Sequence, residues 1–279
     1  MAKQITKRLN WLDRHLPEGL LVDARWLTRH GYSTSLRTQY VAAGWLKQPA
    51  RGVYCRPRGA LSWQQAVISL QALLEYPLLV GGRTALEAQG FAHYLTQKLE
   101  EVHLYGPEAP PRWLGKANVG VRFIYHNDRK LFRTGLPSKA LTHIEGATNK
   151  PAGDAQHADW LVQNWGQWDW PLALSTPERA ILELLDELPA RESFHQADML
   201  MGGLATLSPR RLQKLLEDCH SVKVKRLFFY FADRHHHAWL KRLDKKTINF
   251  GKGKRMLVKG GTLDRTYQIT VPEMSDAVH

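Results

Sequence analysis

The 279-residue chain is long enough for a small domain and a larger one, because single hydrophobic cores stop growing at about 250 to 300 residues. Its hydrophobic fraction of 43% and charged fraction of 23% are ordinary for a globular protein, which excludes wholesale disorder and fibrous repeats. The formal net charge of +13 favours an anionic partner.

The positive charge is concentrated at the two ends of the chain. Residues 1–60 hold 11 Lys and Arg against 3 Asp and Glu, and residues 221–279 hold 13 against 5. The middle of the chain holds more acidic than basic residues. This distribution indicates two localised polyanion-binding surfaces.

Export, membrane insertion and disulfide bonding are not indicated. Asn10 and Asp13 interrupt the stretch where a signal peptide would need an apolar core, and no apolar run approaches the roughly 20 residues of a membrane helix. Cys55 and Cys219 lack the paired spacing of a disulfide framework or a cysteine zinc site. We therefore expect a cytoplasmic protein with no membrane association, no cofactor and no metal.

Three short helices are predicted at the start of the chain. Residues 5–16 have apolar residues at helical spacing. The second helix begins after Asp23, a good N-cap, and ends at Gly31. After a polar turn, a third helix is predicted over about residues 35–43 and ends at Gly44.

A basic hairpin is predicted to follow these helices. Residues 45–46 and 52–55 have the composition of strands, and the five residues 47–51 between them form the tip. Helix, turn, helix and hairpin together predict a winged helix-turn-helix over residues 1–60. Pro57 and Gly59 then break the pattern, which places the domain boundary near residue 60.

Residues 61–279 are predicted to form a larger mixed α/β domain, which makes the whole chain an α+β protein. Helices are predicted over residues 62–75, 83–89, 176–188, 209–219 and 222–233, and strands over 78–81, 102–105, 119–125 and 267–271. Ser175 and Glu178 have the spacing of a capping box, with Pro177 in the first helical turn.

The third helix is predicted to read DNA. A B-DNA major groove admits one α-helix, whose exposed side chains contact the base edges. With Leu36, Tyr40 and Val41 towards the core, the predicted base-reading residues are Ser33, Thr34, Ser35, Arg37, Thr38 and Gln39. The predicted phosphate-binding residues are Arg25, Arg29, Lys47, Arg51, Tyr54, Arg56 and Arg58. The alternative is a winged helix that binds a protein.

A second basic surface is predicted near the C-terminus, where cations alternate with glycines that would let the segment follow a phosphate backbone. Its members are Lys241, Arg242, Lys245, Lys246, Lys252, Lys254 and Arg255. The alternative is a solvated loop with an edge hairpin. The glycine and lysine spacing does not match a P-loop, so no nucleotide site is predicted.

The run Leu21–Pro57, with Arg51-Gly52-Val53-Tyr54 at its wing, resembles the N-terminal domain of the AbiEi antitoxins of type IV toxin-antitoxin and abortive-infection systems. The run from Leu174 to Leu185 and the later residues 224–227 and 263–267 are similar to the C-terminal domain of that family. The resemblance implies a repressor that binds inverted repeats in its own promoter and counteracts a nucleotidyltransferase-type toxin, without necessarily binding that toxin. It further implies that the C-terminal domain serves antitoxicity.

Three other features have competing interpretations. Asp128-Arg129-Lys130 has the D-x-K outline of a metal-dependent nuclease targeted by a winged helix, but a polar turn after a strand also explains it. The consecutive His235–His237 diverge on a helix, so they do not predict a metal site. Trp160, Trp165, Trp168 and Trp170 indicate either core packing beneath the following helix or a protein-binding patch.

Overall fold

The computed structural model of the chain describes residues 2–91, 99–136, 142–145, 148–151 and 159–273. The α-helices are α1 Ala2–His15, α2 Ala24–Arg29, α3 Thr34–Ala42, α4 Trp63–Ile68, α5 Gly82–Ala88, α6 Pro177–Asp186, α7 Phe194–Gly203, α8 Pro209–Asp218 and α9 Val222–His235. The strands are β1 Leu21–Asp23, β2 Lys47–Ala50, β3 Val53–Cys55, β4 Leu79–Val80, β5 Glu101–Gly106, β6 Arg122–Asn127, β7 Thr142–Glu145, β8 Thr148–Pro151, β9 Trp160–Trp165, β10 Trp170–Ser175, β11 Arg255–Met256, β12 Thr262–Asp264 and β13 Ile269–Val271. The predicted α+β class is confirmed.

The predicted winged helix-turn-helix is also confirmed. Helices α1 to α3 accompany a three-stranded sheet of order β1-β3-β2, in which β1 runs antiparallel to β3. The wing differs in detail from the prediction, because β2 extends to Ala50 and the turn is reduced to Arg51 and Gly52. Gly52 takes a φ of +76°, a conformation that glycine adopts without strain.

The described chain divides into two compact units, neither of which ends at residue 60. The first unit comprises Met1–Leu79, Leu99–His126 and Leu136–Leu174, and the second comprises Val80–Lys98, Asn127–Gly135 and Ser175–His279. A hydrogen bond joins the winged helix to the helix that follows residue 60. Helix α4 continues into a π-helical turn over Ser69–Leu73, and the Ser69 hydroxyl accepts from the Leu21 amide of β1 at 2.7 Å.

A five-stranded sheet of order β6-β5-β4-β10-β9 accompanies the winged helix in the first unit. Strands β9 and β10 and helix α7 of the second unit were not among the predicted elements. Trp160 and Trp170 are buried, and the rings of Trp165 and Trp170 stack at 6.1 Å, whereas Trp168 is 57% exposed. The tryptophan segment is therefore a hairpin with three sheltered rings and one exposed ring.

The second unit is built around the apolar helix α6, which packs against α5, α7, α8 and α9. The same helix carries a buried ion pair, in which Arg179 Nε donates to Glu183 at 2.7 Å, while the Gly82 amide donates to Glu183 at 2.9 Å. Burial raises the pKa of Glu183 despite these contacts. Each oxygen of the Glu183 carboxylate thus accepts from one donor, which is what allows a charge to stay inside a core.

The predicted capping box at the start of α6 is wrong. The N-cap is Thr176, which makes no side-chain capping bond. Glu178 instead accepts hydrogen bonds from the Ser208 amide at 2.7 Å and from Arg211 at 2.9 Å. The carboxylate therefore joins the starts of two helices, α6 and α8, instead of closing its own.

Within the described residues, no helix is both long enough and apolar enough to cross a bilayer.

Candidate nucleic-acid interface

The helix-turn-helix is held by short-range capping. The Asp23 carboxylate accepts from the Trp26 amide at 2.7 Å, which confirms the predicted N-cap of α2. Ser33 caps α3 by accepting from the Leu36 amide. Between them, the buried Tyr32 donates from its hydroxyl to the Arg8 carbonyl oxygen of α1, and burial raises the pKa of Tyr32 to about 12. These contacts fix the position of α3 from its first turn.

Arg37 does not face outward as predicted. Its residue is only 6% exposed, and its guanidinium donates to the carbonyl oxygens of Ala24 and Tyr32 and to the hydroxyls of Thr28 and Thr34, at 2.8 to 3.1 Å. A guanidinium that donates to four acceptors inside the protein cannot at the same time present its donors to the edge of a guanine. Arg37 therefore joins α2, the turn and α3, and the prediction that it reads bases is corrected.

The remaining predicted base-reading residues of α3 are exposed. Ser33, Thr34, Ser35, Thr38 and Gln39 all lie on the solvent side, whereas Arg37 and Tyr40 point inward. Ser33 and Thr34 use their hydroxyls in capping and in holding Arg37, and Thr38 donates to the Thr34 carbonyl oxygen. Among the described residues, the side chains of Ser35 and Gln39 make no hydrogen bond to the protein.

The predicted phosphate-binding residues separate into two groups. Arg25 and Arg29 on α2, Lys47 on β2 and Arg51 at the wing turn are exposed. They border the helix-turn-helix with positive charge, as a phosphate-binding surface requires.

Three members of the predicted phosphate-binding set are used inside the protein. Tyr54 is 9% exposed and its ring lies beneath the Arg37 guanidinium at 5.8 Å. Arg56 forms ion pairs with Asp13 and Glu18. Arg58 is half-buried and lies over the exposed Trp168 ring at 5.4 Å. The predictions that Tyr54 and Arg56 bind phosphate are therefore corrected, because the first is buried and the second is neutralised.

Sequence reasoning missed one exposed aromatic residue of the winged helix. Trp45 lies just beyond the C-cap Ala43 and Gly44 of α3 and is 54% exposed. The sequence pattern predicts a β-type run at Trp45, and the helix-ending Gly44 before it is the signal that could have marked it as exposed. An exposed tryptophan close to the end of α3 adds apolar area to the surface of that helix.

Comparison with known families identifies the chain. Residues 99–272 match the family described as "Transcriptional regulator, AbiEi antitoxin, Type IV TA system", and residues 5–97 match the AbiEi antitoxin N-terminal domain. The chain belongs to the AbiEi antitoxin family. It is therefore an antitoxin-type transcriptional regulator of a type IV toxin-antitoxin system, as the sequence resemblance predicted.

A solved structure supports the fold of this AbiEi protein. The crystal structure of the RV2827C protein from Mycobacterium tuberculosis matches with a TM-score of 0.56 and 15% sequence identity, over 95% of this chain and 89% of that one. Identity this low shows a shared fold and nothing about function. A search of curated proteins finds no match.

The second basic surface of this AbiEi regulator is only partly as predicted. Lys241, Arg242, Lys246, Lys252, Lys254 and Arg255 are exposed. Lys245 is exposed as well, but its ammonium pairs with Asp233 at 3.0 Å and with the Tyr267 hydroxyl at 2.7 Å.

The glycine-rich segment of that surface is held in place at its base. The buried Arg226 donates to the carbonyl oxygens of Phe250, Gly253 and Gln268 at 2.7 to 3.1 Å. Gly251 and Gly253 take φ values of +63° and +77°, so they serve turns and do not supply a freely flexible strip.

The acidic residue of the D-x-K triplet belongs to the core of this antitoxin. Asp128 has 0% exposure and lies 3.7 Å from Arg179 in the core of the second unit, while Lys130 is exposed. The carboxylate therefore faces the core cation and not solvent, which removes the geometric basis of the nuclease alternative.

The three consecutive histidines end helix α9. His235 Nε2 lies 2.9 Å from Asp198, His236 closes the helix with a φ of +49°, and His237 Nε2 lies 2.8 Å from the Met201 carbonyl oxygen. His235 and His237 are half-buried and hydrogen-bonded, so the helix end is less solvated than predicted.

Proposed function

We propose that this AbiEi regulator binds the promoter of its own operon in the cytoplasm, at inverted repeats, with α3 in the major groove. The observation that supports this most directly is the exposed polar face of α3. Ser35, Thr38 and Gln39 lie within one helical turn of each other on the outward side, because residues three and four apart share a face. Base reading requires hydrogen-bonding capacity that the protein does not use. Ser35 and Gln39 make no side-chain hydrogen bond among the described residues, and the Thr38 hydroxyl, which donates to the Thr34 carbonyl oxygen, can still accept.

We assign sequence reading mainly to Gln39. Glutamine offers one donor and one acceptor, which match the N6 and N7 positions of adenine. Ser35 and Thr38, which precede it in α3, supply shorter hydroxyl contacts. Trp45 adds apolar contact at the end of the helix, where a thymine methyl or a sugar is the matching surface.

We assign positioning on the duplex to the exposed cations Arg25, Arg29, Lys47 and Arg51. Contacts to phosphate fix orientation and register without reading sequence, and each one makes binding more sensitive to salt. The exposed cations of the second unit, Lys241, Arg242, Lys246, Lys252, Lys254 and Arg255, are proposed as a separate surface for phosphate.

The test is a fluorescence-anisotropy titration of the full chain with the duplex immediately upstream of its gene and with a shuffled duplex, over a range of salt concentrations. Gln39→Ala should weaken binding to the upstream duplex by about 1–3 kcal/mol and leave the shuffled duplex nearly unaffected. Arg51→Ala should weaken both alike and flatten the slope of log affinity against log salt by about 0.9. Lys214→Ala, which removes an exposed lysine from α8, is the matched control and should change neither.

Either of two results would refute promoter binding by this surface: equal affinity for the two duplexes in the unmodified protein, or an unchanged sequence preference after Gln39→Ala. If the slope of log affinity against log salt changes only in variants of the second basic surface, the phosphate contacts would be made by the second unit instead.

We further propose that the protein opposes a nucleotidyltransferase-type toxin, as the family resemblance implies, and that antitoxicity does not require the α3 surface. Growth of cells expressing the neighbouring toxin should be rescued equally by the unmodified protein and by the double variant Gln39→Ala and Arg51→Ala. Loss of rescue in the double variant at equal protein level would show instead that antitoxicity depends on DNA binding.

A further inference from the structure

Two histidines face each other at one end of the five-stranded sheet. His103 lies on β5 and His126 on the neighbouring strand β6, and both strands belong to the first unit. Nδ1 of His103 is 3.0 Å from Nε2 of His126, although the two residues are 23 positions apart in the sequence. Sequence spacing does not reveal the pair, because no metal-ligand motif joins the two positions.

The two imidazoles are held in fixed orientations. His103 is only 5% exposed, whereas His126 is half-buried. The planes of the two rings are 8° apart, and the ring of the buried Tyr105 stacks on His126 at 4.5 Å. Burial and stacking restrict the rotation of both rings. Because β6 is an edge strand, a small solute can reach the pair from the His126 side.

The distance between the two nitrogens fits a shared metal ion. Imidazole nitrogens lie about 2.0–2.1 Å from such an ion. Two bonds of this length at a right angle, as in square-planar or octahedral coordination, place the nitrogens about 2.9 Å apart, whereas a tetrahedral ion needs about 3.3–3.4 Å. The observed 3.0 Å is close to the right-angle value, which favours Cu²⁺ or Ni²⁺ over Zn²⁺.

A carboxylate lies at the other nitrogen of His103. Oε2 of Glu101 is 3.8 Å from Nε2 of His103, and Glu101 also pairs with Arg122. If Nδ1 of a neutral His103 binds a metal, its hydrogen must be on Nε2, which is the nitrogen beside this carboxylate. Metal-binding histidines commonly have a carboxylate in this position, where it fixes the tautomer and makes the ligand more basic. The surroundings of His103 are therefore those of a metal ligand.

We propose that His103 and His126 bind one divalent transition-metal ion, with Cu²⁺ or Ni²⁺ the best match, and that Glu101 positions His103. The ion would take the place of the hydrogen between the two rings and would link the edge strand β6 to β5. Water would complete the coordination, because the pair supplies two ligands. This binding activity goes beyond promoter recognition and does not rest on it.

The first test is a calorimetric titration of the full chain with Ni²⁺ at neutral pH, where unperturbed histidines are mostly uncharged. His103→Gln and His126→Gln should each abolish the tightest binding event. His220→Gln, which removes an exposed histidine, is the matched control and should keep it. Unchanged Ni²⁺ affinity in both variants of the pair would overturn the proposal.

The same titration tests the positioning role of Glu101. Glu101→Gln should weaken Ni²⁺ binding by about 10–100-fold, as the loss of a carboxylate beside a metal-binding histidine generally does. Arg122→Gln, which removes the cation paired with Glu101, is its matched control and should leave the affinity within about twofold. Equal weakening in Glu101→Gln and Arg122→Gln would refute the positioning role, because it would trace the effect to the loss of that ion pair.

The second test needs no variant to fold. Carbethoxylation of His126 by diethyl pyrocarbonate is measured in the full chain by mass spectrometry. At a Ni²⁺ concentration ten times its Kd, modification of His126 should slow by about tenfold, and modification of His220 should not change. Equal modification of His126 with and without Ni²⁺ would show that the two rings share only a hydrogen bond, which would refute the site. Neither test contains DNA, so the outcome is separable from that of promoter binding.

Discussion

The burial of Arg37 leads to the sharpest prediction about the winged helix. Arg37→Ala removes a guanidinium that donates to four oxygens. The hydroxyls of Thr28 and Thr34 belong to exposed residues and can exchange the lost bond for water, whereas Tyr32 is 1% exposed and its carbonyl oxygen is left without that donor. Hydrogen bonds to charged groups contribute about 1.5–3 kcal/mol each. With two carbonyl oxygens affected, we expect a loss of about 3–6 kcal/mol.

The measurement is amide hydrogen exchange across α2 and α3 in the full chain, which reports the free energy of local opening and does not require the two units to unfold together. Gln39→Ala, on the exposed side of the same helix, is the matched control and should change this free energy by no more than about 0.5 kcal/mol. Arg37→Lys should recover only part of the loss, because an ammonium lacks the planar fork that reaches several acceptors.

The reasoning would be refuted if Arg37→Ala left the exchange of α3 unchanged while abolishing preference for the upstream duplex. That result would restore Arg37 as a base-reading residue and would require its side chain to leave the α2 contacts on binding DNA.

Three further predictions concern the second unit. Glu178→Ala should destabilise the protein by about 2–3 kcal/mol in urea denaturation, because the half-buried Ser208 amide loses its charged acceptor. Burial alone would raise the pKa of Asp198, but hydrogen bonding and charge from His235 outweigh it and lower that pKa. The Asp198 carboxylate therefore stabilises the folded protein above the unfolded carboxyl pKa of about 3.9, and this stabilisation is lost as the pH falls below that value. Asp198→Asn should remove this part of the acid-induced loss of stability. Asp128→Ala should lower the Tm and leave plasmid DNA incubated with magnesium as intact as with the unmodified protein, whereas cleavage that disappears in Asp128→Ala would revive the nuclease interpretation.

Local sequence determined the winged helix well. Helix α3 was predicted within one residue of its observed bounds. The N-cap Asp23 and the stop at Gly31, which follows the C-cap His30 of α2, were readable because capping chemistry involves only neighbouring residues. The polar outer face of α3 was likewise predictable from helical periodicity. Strands β9 and β10 and helix α7 were not, because their burial depends on contacts with distant segments.

The roles of individual polar side chains were decided by tertiary structure. Arg37 has the residue type of a base reader, but its partners Ala24 and Thr28 lie on a different helix, and no spacing rule shows that its guanidinium turns towards them. Arg56 is neutralised by Asp13, more than 40 positions away. Composition and periodicity determine which residues form elements and where charge accumulates, whereas the three-dimensional path of the chain decides which of those charges remain available to a ligand.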